Sequence, residues 1–346
     1  MTSSTTSGLT GFPGSEWDIV TPEELGFDAS RLESAARWQA DRDADLPFRL
    51  LVVRHGRIAG EWNRGIGSEE LQRQASASKS TYGCVLSSAV REGKIGSADD
   101  KVVDYYPEMM DVPAGTGPKE ERHAFPENAG ITFKQLIGNV SGYMKPGEAP
   151  GQVWHYQTYG MNILCHAVAA QYSLYKSDDP ERGGGMGKLT EWKIRDQIGG
   201  SWSWTWGNFD LHAEARLGIF GYNTNYAMTA RDMARCGLLW INYGRWGEEQ
   251  VIPEEWIREA SVTNRWVLEN EPEENWLYGL GYWVNDHAKA WPDLPRNSFA
   301  ASGAGAQHIW VAPDLDVIVV QSPGTYGQMD REGAAATIER VLDSLA

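Results

Sequence analysis

Strand-like segments lie near both ends of the chain, and this arrangement constrains the fold more than any other feature of the sequence. The apolar run at residues 49–54 and the segment at 58–62 flank a Gly-containing turn, a pattern that predicts a β-hairpin. Residues 307–312 and 317–321 flank a Pro-Asp turn, which predicts a second hairpin. Any fold for this chain must therefore bring two distant hairpins into stable sheets.

Helices are predicted between the two hairpins. Residues 79–92 show clear helical periodicity and end at Gly93, and residues 22–41 and the last residues of the chain are further predicted helices. This order favours an α+β fold with one antiparallel sheet built from N- and C-terminal strands, flanked by helices. A central, mainly helical lobe would complete it.

The predicted domain organisation follows from this order. The sheet lobe combines residues 16–74 with residues 270–346, the mainly helical lobe spans residues 75–269, and the active site is expected between the lobes. Residues 1–15 are rich in Ser, Thr and Gly and lack the basic start and apolar run of a signal peptide. We expect them to form a flexible leader on a cytoplasmic protein.

The charge balance excludes some classes of partner. The 47 acidic residues outnumber the 31 lysines and arginines, which gives a formal net charge of −16. Such a surface repels phosphate backbones and anionic lipids, so we expect no nucleic-acid partner and no membrane partner. The three cysteines are far apart in apolar stretches and are expected to be buried free thiols.

Two Ser-x-x-Lys sequences occur, and their surroundings differ. Ser76 lies at the start of the predicted helix at 79–92, and because residues three apart on a helix share a face, Lys79 can reach the Ser76 hydroxyl. A buried lysine has a lowered pKa and can act as a base, but helix capping explains Ser76 equally well at this level. Ser173 and Lys176 precede a charged loop, where a solvated lysine is expected.

Two further segments hold candidate site residues. Tyr156 follows a Pro-Gly loop and precedes a helix, a position from which a phenol can project into a cleft and relay a proton. The small residues Ser302-Gly303-Ala304 lead into a strand, where a substrate can approach the backbone and an N–H can serve an oxyanion hole. Taken singly, a half-buried structural tyrosine is the better explanation of Tyr156, and a tight bulge is the alternative explanation of the small residues.

The order of these three motifs resembles the serine β-lactamase and penicillin-binding-protein superfamily, especially the class C enzymes, related esterases and nylon-oligomer hydrolases. Flanking segments are also similar, namely residues 131–137 with the following Ser-Gly-Tyr, residues 228–235, and the strand at 317–320. The resemblance extends from about residue 26 to residue 345. It implies a β-lactamase-like fold.

The resemblance also implies a role for each candidate residue. Ser76 would attack an ester or amide carbonyl to form an acyl-enzyme, with Lys79 and Tyr156 as general base and acid. The backbone N–H groups of Ser76 and Ala304 would hold the oxyanion. The remaining contacts to a small-molecule substrate would come from Thr158, Ser302 and Gly303.

Two positions depart from the superfamily's usual motifs. Thr158 stands where the second motif, Tyr-x-Asn, has its asparagine. Ala301 stands where the third motif has a lysine or histidine that helps to hold a substrate carboxylate. The missing cation favours an esterase or amidase over a β-lactamase or D-alanyl peptidase. Acyl transfer to an acceptor other than water, and ligand binding without catalysis, are further alternatives.

Motifs of other enzyme classes do not occur in the sequence. It contains no Gly-x-Ser-x-Gly, no His-Glu-x-x-His and no Cys-x-x-Cys, so we expect no metal site and no cofactor. His155 and His308 lie beside candidate site residues, and satisfied structural histidines are expected there. The tryptophans at 202, 204 and 206 are consistent with an acyl-binding wall or with core packing.

Overall fold

A computed structural model describes residues 11–209, 214–323 and 331–346 of the chain. Within these residues the strands are β1 (Phe48–Arg54), β2 (Arg57–Arg64), β3 (Gln72–Arg73), β4 (Ser203–Asn208), β5 (Tyr222–Met228), β6 (Arg245–Trp246), β7 (Glu249–Gln250), β8 (Trp283–Val284), β9 (Phe299–Gly303), β10 (Gln307–Ala312) and β11 (Val317–Gln321). The helices are α1 (Ala29–Arg42), α2 (Lys79–Arg91), α3 (Phe133–Ile137), α4 (Tyr159–Ala170), α5 (Gly185–Thr190), α6 (Leu217–Phe220), α7 (Ala230–Ile241), α8 (Glu254–Ala260), α9 (Arg265–Asn270) and α10 (Arg331–Leu342).

The main sheet joins strands from the two ends of the chain. Its strands lie in the order β2-β1-β11-β10-β9-β8, and each neighbouring pair is antiparallel. Leu50 of β1 lies opposite Gln321 of β11. The two predicted hairpins are confirmed as β1–β2 and β10–β11. The predicted α+β architecture, with one antiparallel sheet from N- and C-terminal strands, is therefore correct.

Helices cover both faces of this sheet. Side chains alternate between the faces because successive residues of a strand point in opposite directions. Leu51 and Val320 belong to a large apolar cluster that they share with the central helices. Leu50 and Val319 belong to a second cluster, which includes residues of α1 and α10. The pattern of apolar residues in β1 and β11 thus specifies a sheet buried on both sides.

The central segment contains the most deeply buried helices. α2, predicted at residues 79–92, ends at Arg91, and almost all of its residues are buried. α4 and α7 are buried to a similar extent and pack near it. A helix that is enclosed on all sides presents its N-terminus at a fixed position, and the start of α2 is where the candidate nucleophile lies.

A second sheet also lies in the central segment. Its strands have the order β3-β5-β4. β5 carries Asn223 and Asn225, and asparagine is depleted in strands, which weakens the strand pattern of this segment. The segment is mainly helical, as predicted, but not purely so. The lobe boundaries at residues 74/75 and 269/270 stay a prediction.

The helix predicted at residues 22–41 begins too early. The chain forms a 3-10 turn at Pro22–Leu25, and Gly26 ends this turn in a left-handed conformation with φ of 76°. The carboxylate of Asp28 then accepts a hydrogen bond from the Arg31 N–H at 3.0 Å and caps α1. A new cap inside the periodic stretch therefore sets the start of the helix.

Some predictions concern features other than the sheet. None of the helices within the described ranges is both long enough and apolar enough to cross a bilayer. Cys84, Cys165 and Cys236 are buried free thiols, as expected. Residues 1–10, most of the predicted leader, lie outside the described residues.

Candidate active site

The candidate nucleophile lies in a tight turn before α2. The 3-10 turn Ala75–Ser78 continues directly into α2 at Lys79. Ala75 has a φ of 47°, a left-handed conformation that is unfavourable for a residue with a side chain. Ser76 is half-buried at the N-terminal end of the helix, where the helix dipole favours negative charge on its oxygen. The turn thus presents one hydroxyl at the positive end of a buried helix.

Ser76 and Lys79 are in direct contact. The Lys79 ammonium donates a hydrogen bond to Ser76 Oγ at 2.8 Å. Lys79 is only 4% exposed, and burial lowers its pKa to about 8 because the charged form loses its hydration. A sizeable fraction of Lys79 is therefore neutral at slightly alkaline pH, and a neutral amine can accept the proton of Ser76.

The second Ser-x-x-Lys sequence has a different structure. Ser173 lies in a turn after α4 with a φ of 59°, and both Ser173 and Lys176 are exposed. Neither residue lies in a helix, so the three-residue spacing does not place them on a common face. The exposed lysine is the solvated residue that its polar surroundings predict.

Tyr156 lies beside Lys79 in an extended segment before α4. The Lys79 Nζ is 5.0 Å from the centroid of the Tyr156 ring. The Trp283 ring stacks on the same tyrosine, with centroids 5.8 Å apart and an interplanar angle of 24°. Tyr278 meets it edge to face at 5.9 Å and 90°. The first two sequence motifs therefore come together, and two further aromatic residues join them.

Asn139 fixes the backbone on both sides of Tyr156. The His155 N–H donates to the Asn139 carbonyl at 2.8 Å, and the Gln157 N–H donates to Asn139 Oδ1 at 3.0 Å. Asn139 has a φ of 58°, a left-handed conformation that asparagine tolerates better than most residues. One buried asparagine thus holds the segment that presents the tyrosine.

The third motif packs directly on the nucleophile turn. A Cβ atom on Gly303, at the end of β9, would lie 2.2 Å from the Gln74 carbonyl oxygen and 3.1 Å from the Ser76 nitrogen. Only glycine permits such a close approach of two backbones. β9 and the start of α2 therefore meet at Ser76, and this contact explains Gly303 better than a simple bulge does.

The other predicted site residues occupy the surroundings of this contact. Thr158 is half-buried and immediately precedes α4. Ser302 is half-buried on β9, Ala301 beside it is buried, and Ala304 is exposed in the turn between β9 and β10. The exposed backbone at Ala304 is thus one residue from the glycine that touches the Ser76 turn.

A charged cluster beside Tyr156 is not apparent from the sequence. The ammonium of buried Lys145 lies 3.5 Å from Glu148 Oε1 and also contacts His155 Nδ1, which is 3.2 Å from the same carboxylate. Desolvation lowers the pKa of Lys145, and nearby Arg122 lowers it further by charge repulsion. His155 is thus held by side chains, as expected of a structural histidine. The spacing of Lys145, Glu148 and His155 in an irregular loop matches no periodic pattern, so no sequence signal identifies the cluster.

His308 differs in part from the satisfied structural histidine expected at this position. His308 is buried, but within the described residues its Nε2 has no hydrogen-bond partner, so it is not a fully satisfied histidine. Burial lowers its pKa to about 4.

Trp204 and Trp206 pack against Gly187 and Gly185, where a Cβ atom would lie within 2.3 Å of their rings. Packing on this glycine-rich segment explains both tryptophans.

No group of three or more His, Cys, Asp or Glu side chains in the described part of the chain is arranged to hold a metal ion. No protein-family model matches the sequence, and the search of curated proteins found no match.

Solved structures with the same architecture do exist. A penicillin-binding-protein homologue from Caulobacter crescentus matches with a TM-score of 0.66 and 15% identity over 94% of this chain and 99% of its own. EstCE1, a hydrolase with promiscuous acyltransferase activity, matches with a TM-score of 0.62 and 14% identity over 92% and 99%. A β-lactamase from Mycobacterium bovis matches with a TM-score of 0.60 and 15% identity over 90% and 100%. The resemblance predicted from the three motifs is thus confirmed at the level of the fold: this chain has a β-lactamase-like fold.

Proposed function

We propose that this chain is a serine hydrolase that cleaves small esters or amides through an acyl-Ser76 intermediate. The contact between Ser76 Oγ and Lys79 Nζ is the observation that supports the proposal most strongly. A serine hydroxyl 2.8 Å from a buried amine with a pKa of about 8 has its base in place. A residue that only capped α2 would not need a buried lysine as its partner.

The acylation step follows from this pair. Neutral Lys79 takes the proton of Ser76 as the oxygen attacks the substrate carbonyl carbon. When the tetrahedral intermediate collapses, Tyr156 gives its proton to the departing oxygen or nitrogen, and the Lys79 ammonium returns a proton to Tyr156. The acyl group is then bound to Ser76, and both Lys79 and Tyr156 are back in their starting forms.

Backbone N–H groups would stabilise the oxyanion. The Ser76 N–H lies at the N-terminal end of α2, and the Ala304 N–H follows the glycine that touches the Ser76 turn. Two such donors in a site that excludes water can supply several kcal/mol of transition-state stabilisation. Water then attacks the acyl-enzyme by the reverse use of the same groups and releases the acid.

The composition of β9 supports the proposed substrate class. Ser302 and Gly303 give hydrogen-bonding and steric access without charge, and Ala301 at the first position of the motif is buried and apolar. Thr158 adds a hydroxyl rather than an amide beside the tyrosine. A site of this composition favours neutral esters and amides over substrates that require a cation from the third motif.

Acyl transfer to an alcohol is the second candidate function. Trp154 is half-buried and packs on the buried rings of Tyr278 and Trp283 at 5.8 Å and 6.3 Å, so its own exposed part offers an apolar aromatic surface near Tyr156. Such a surface binds an alcohol acceptor better than it binds water. EstCE1 has both hydrolase and acyltransferase activity. Analysis of products formed from vinyl butyrate with added benzyl alcohol separates ester formation from hydrolysis.

The nucleophile is tested by covalent labelling. The protein is incubated with a fluorophosphonate probe, and intact mass spectrometry counts the adducts, with turnover of p-nitrophenyl esters and penicillins measured in parallel. We expect one adduct in the wild-type chain and none in Ser76→Ala. Ser173→Ala, which alters the exposed second Ser-x-x-Lys sequence, should still give one adduct. We also expect turnover of esters to exceed turnover of penicillins by a wide margin.

Other outcomes point to other functions. A wild-type chain that is folded but gives neither adduct nor turnover contradicts the hydrolase proposal and favours ligand binding without catalysis. Labelling that persists in Ser76→Ala assigns the nucleophile to another residue. Penicillin turnover comparable to ester turnover assigns a β-lactamase activity.

A further inference from the structure

Two buried aromatic side chains contact the ring of Tyr156. Trp283 on β8 stacks on it with centroids 5.8 Å apart, and Tyr278 meets it edge to face at 5.9 Å. Trp283 and Tyr278 also pack against each other, with centroids 5.3 Å apart and an angle of 84°. Lys79 Nζ, 5.0 Å from the centroid of the tyrosine ring, is a third neighbour of that ring.

Burial separates the roles of these residues. Tyr156 is half-buried, whereas Trp283 is 5% exposed and Tyr278 is 1% exposed. A substrate in contact with Ser76 can therefore reach Tyr156 but has almost no access to the two residues behind it. Any influence of Trp283 on the reaction is therefore indirect, and among the catalytic side chains its ring contacts Tyr156.

The segment that contains Trp283 is attached both to β9 and to the first turn of α2. It pairs with Ala300 of β9, the strand that ends at Gly303 against the Ser76 turn. Two residues before Trp283, the Gly281 carbonyl accepts a hydrogen bond from Ser80 Oγ at 2.7 Å, which ties this segment to the first turn of α2. The backbone that carries the Trp283 indole is thus attached to the elements that carry Ser76 and Lys79.

The composition of β9 gives this aromatic contact added importance. The strand has the sequence Phe-Ala-Ala-Ser-Gly and contributes no cation beside Tyr156. A phenol that must transfer a proton needs a fixed position relative to the leaving group, since an error of about 1 Å can lower the rate on the order of 100-fold. Aromatic pairs prefer defined stacked or edge-to-face geometries, so the contacts with Trp283 and Tyr278 favour one position of the Tyr156 ring.

We propose that Trp283 is a positioning residue that holds Tyr156 where its hydroxyl protonates the leaving group. The inference rests on the proposed hydrolase function and assigns one step of it. In that step the bond between the carbonyl carbon and the leaving oxygen breaks and its electron pair stays on that oxygen. The Tyr156 proton moves to the same oxygen, and the Lys79 ammonium restores the Tyr156 proton.

Substrates that differ only in their leaving group test this step. p-Nitrophenolate leaves as a stable anion and needs little help from an acid, whereas ethoxide must be protonated as it leaves. Because kcat/KM reports the steps through acylation and leaves out deacylation, we expect Trp283→Leu to lower kcat/KM for ethyl butyrate about 10- to 100-fold and kcat/KM for p-nitrophenyl butyrate less than about threefold. Trp283→Phe, which keeps a ring that can stack, should recover most of the lost rate.

Two further variants distinguish positioning from general damage. Trp291→Leu removes a tryptophan that is 3% exposed in the same apolar cluster but is not in ring contact with Tyr156, and it should not alter the ratio of the two rates. Tyr156→Phe should show the same selective loss as Trp283→Leu, only larger. In the double variant Trp283→Leu/Tyr156→Phe, the loss should equal that of Tyr156→Phe alone within about twofold, because residues acting through one group are not additive.

The possible results separate this inference from the proposed function. If the wild-type chain is active, and Trp283→Leu is folded by circular dichroism but leaves the ratio of the two rates unchanged, the positioning role is overturned and the proposed function is not. Equal losses in Trp291→Leu, or full additivity in the double variant, overturn it as well. A wild-type chain that hydrolyses neither ester removes the proposed function, and the inference with it.

Discussion

Lys79 combines two properties that oppose each other in a single residue. The residue is 4% exposed, so its ammonium loses hydration, and its pKa falls to about 8 for that reason. The hydrogen bond to Ser76 and the adjacent ring of Tyr156 return only part of that energy. The same burial that destabilises the fold makes the amine available as a base.

The rate should therefore follow the titration of Lys79. The neutral amine is the active form, so kcat/KM for p-nitrophenyl butyrate should rise about tenfold per pH unit below pH 8 and level off above it. The measurement is a pH–rate profile from pH 6 to 9.5, corrected for spontaneous hydrolysis. Lys79→Met should be at least about 100-fold slower and lack this limb. A flat wild-type profile would show that Lys79 does not act as the base.

Replacing Lys79 should also stabilise the protein. The folded pKa of about 8 lies below the unfolded value of about 10.4, so between these values the unfolded chain binds more protons and stability rises with pH. At pH 7 the desolvation cost is therefore fully present, and Lys79→Met should raise the free energy of unfolding by about 2–3 kcal/mol. Urea titrations at pH 7 and pH 9.5 measure the effect, and the exposed Lys176→Met serves as the control. A less stable Lys79→Met at pH 7 would contradict the sign of this argument.

At the scale of elements, the decisive contact is the one between β9 and the turn that precedes α2. The two backbones approach so closely at Gly303 that a single methyl group would overlap the Gln74 carbonyl and crowd the Ser76 nitrogen. The position of Ser76 relative to Ala304 is therefore fixed by main-chain contact rather than by side chains. This contact therefore fixes the position of the Ser76 N–H relative to the Ala304 N–H, the two candidate oxyanion donors.

Gly303→Ala should damage catalysis more than folding. The added Cβ must push β9 and the nucleophile turn apart, which would widen the oxyanion site and lower kcat at least about tenfold, while stability falls by about 1–3 kcal/mol. Steady-state kinetics and thermal unfolding measure the two effects. Gly130→Ala is the matched control, because a Cβ there meets nothing within 4 Å. Wild-type kcat in Gly303→Ala would show that the contact does not govern the site.

Elements specified by residues close together in the sequence could be predicted, and contacts between distant residues could not. The α2 helix, the two hairpins and the Ser76–Lys79 pair arise from spacings of a few residues, and each could be predicted from the sequence. The split before α1 required an Asp28 cap within an apparently continuous pattern. The contact of Tyr156 with Trp283 joins residues more than a hundred positions apart, and no periodicity encodes such a contact.

At the scale of the whole molecule, one apolar cluster connects the sheet to the helical segment. It contains Leu51 and Val320 from the sheet together with Leu86 of α2 and Val168 of α4. The helical segment therefore shares its core with one face of the sheet, while the second cluster packs on the other face of the same sheet. The two parts should therefore depend on each other for stability.

Unfolding should accordingly be a single cooperative transition. Differential scanning calorimetry should show one peak, with a van't Hoff enthalpy close to the calorimetric enthalpy, because both parts share one core. Val320→Ala in the sheet and Val168→Ala in α4 should each lower the same Tm. Two resolved peaks, or a Tm shift confined to one of them, would show that the lobes unfold independently.

The pairing of β1 with β11 has a further consequence for biosynthesis. Leu50 and Gln321 are neighbours in the sheet but roughly 270 residues apart in the chain. At about 5–20 residues per second, a ribosome needs on the order of 15–55 s to deliver the second strand after the first. Throughout that interval β1 has a free apolar edge, which is the kind of edge that recruits other chains. We therefore expect the newly made N-terminal hairpin to be prone to aggregation until the C-terminal strands are synthesised.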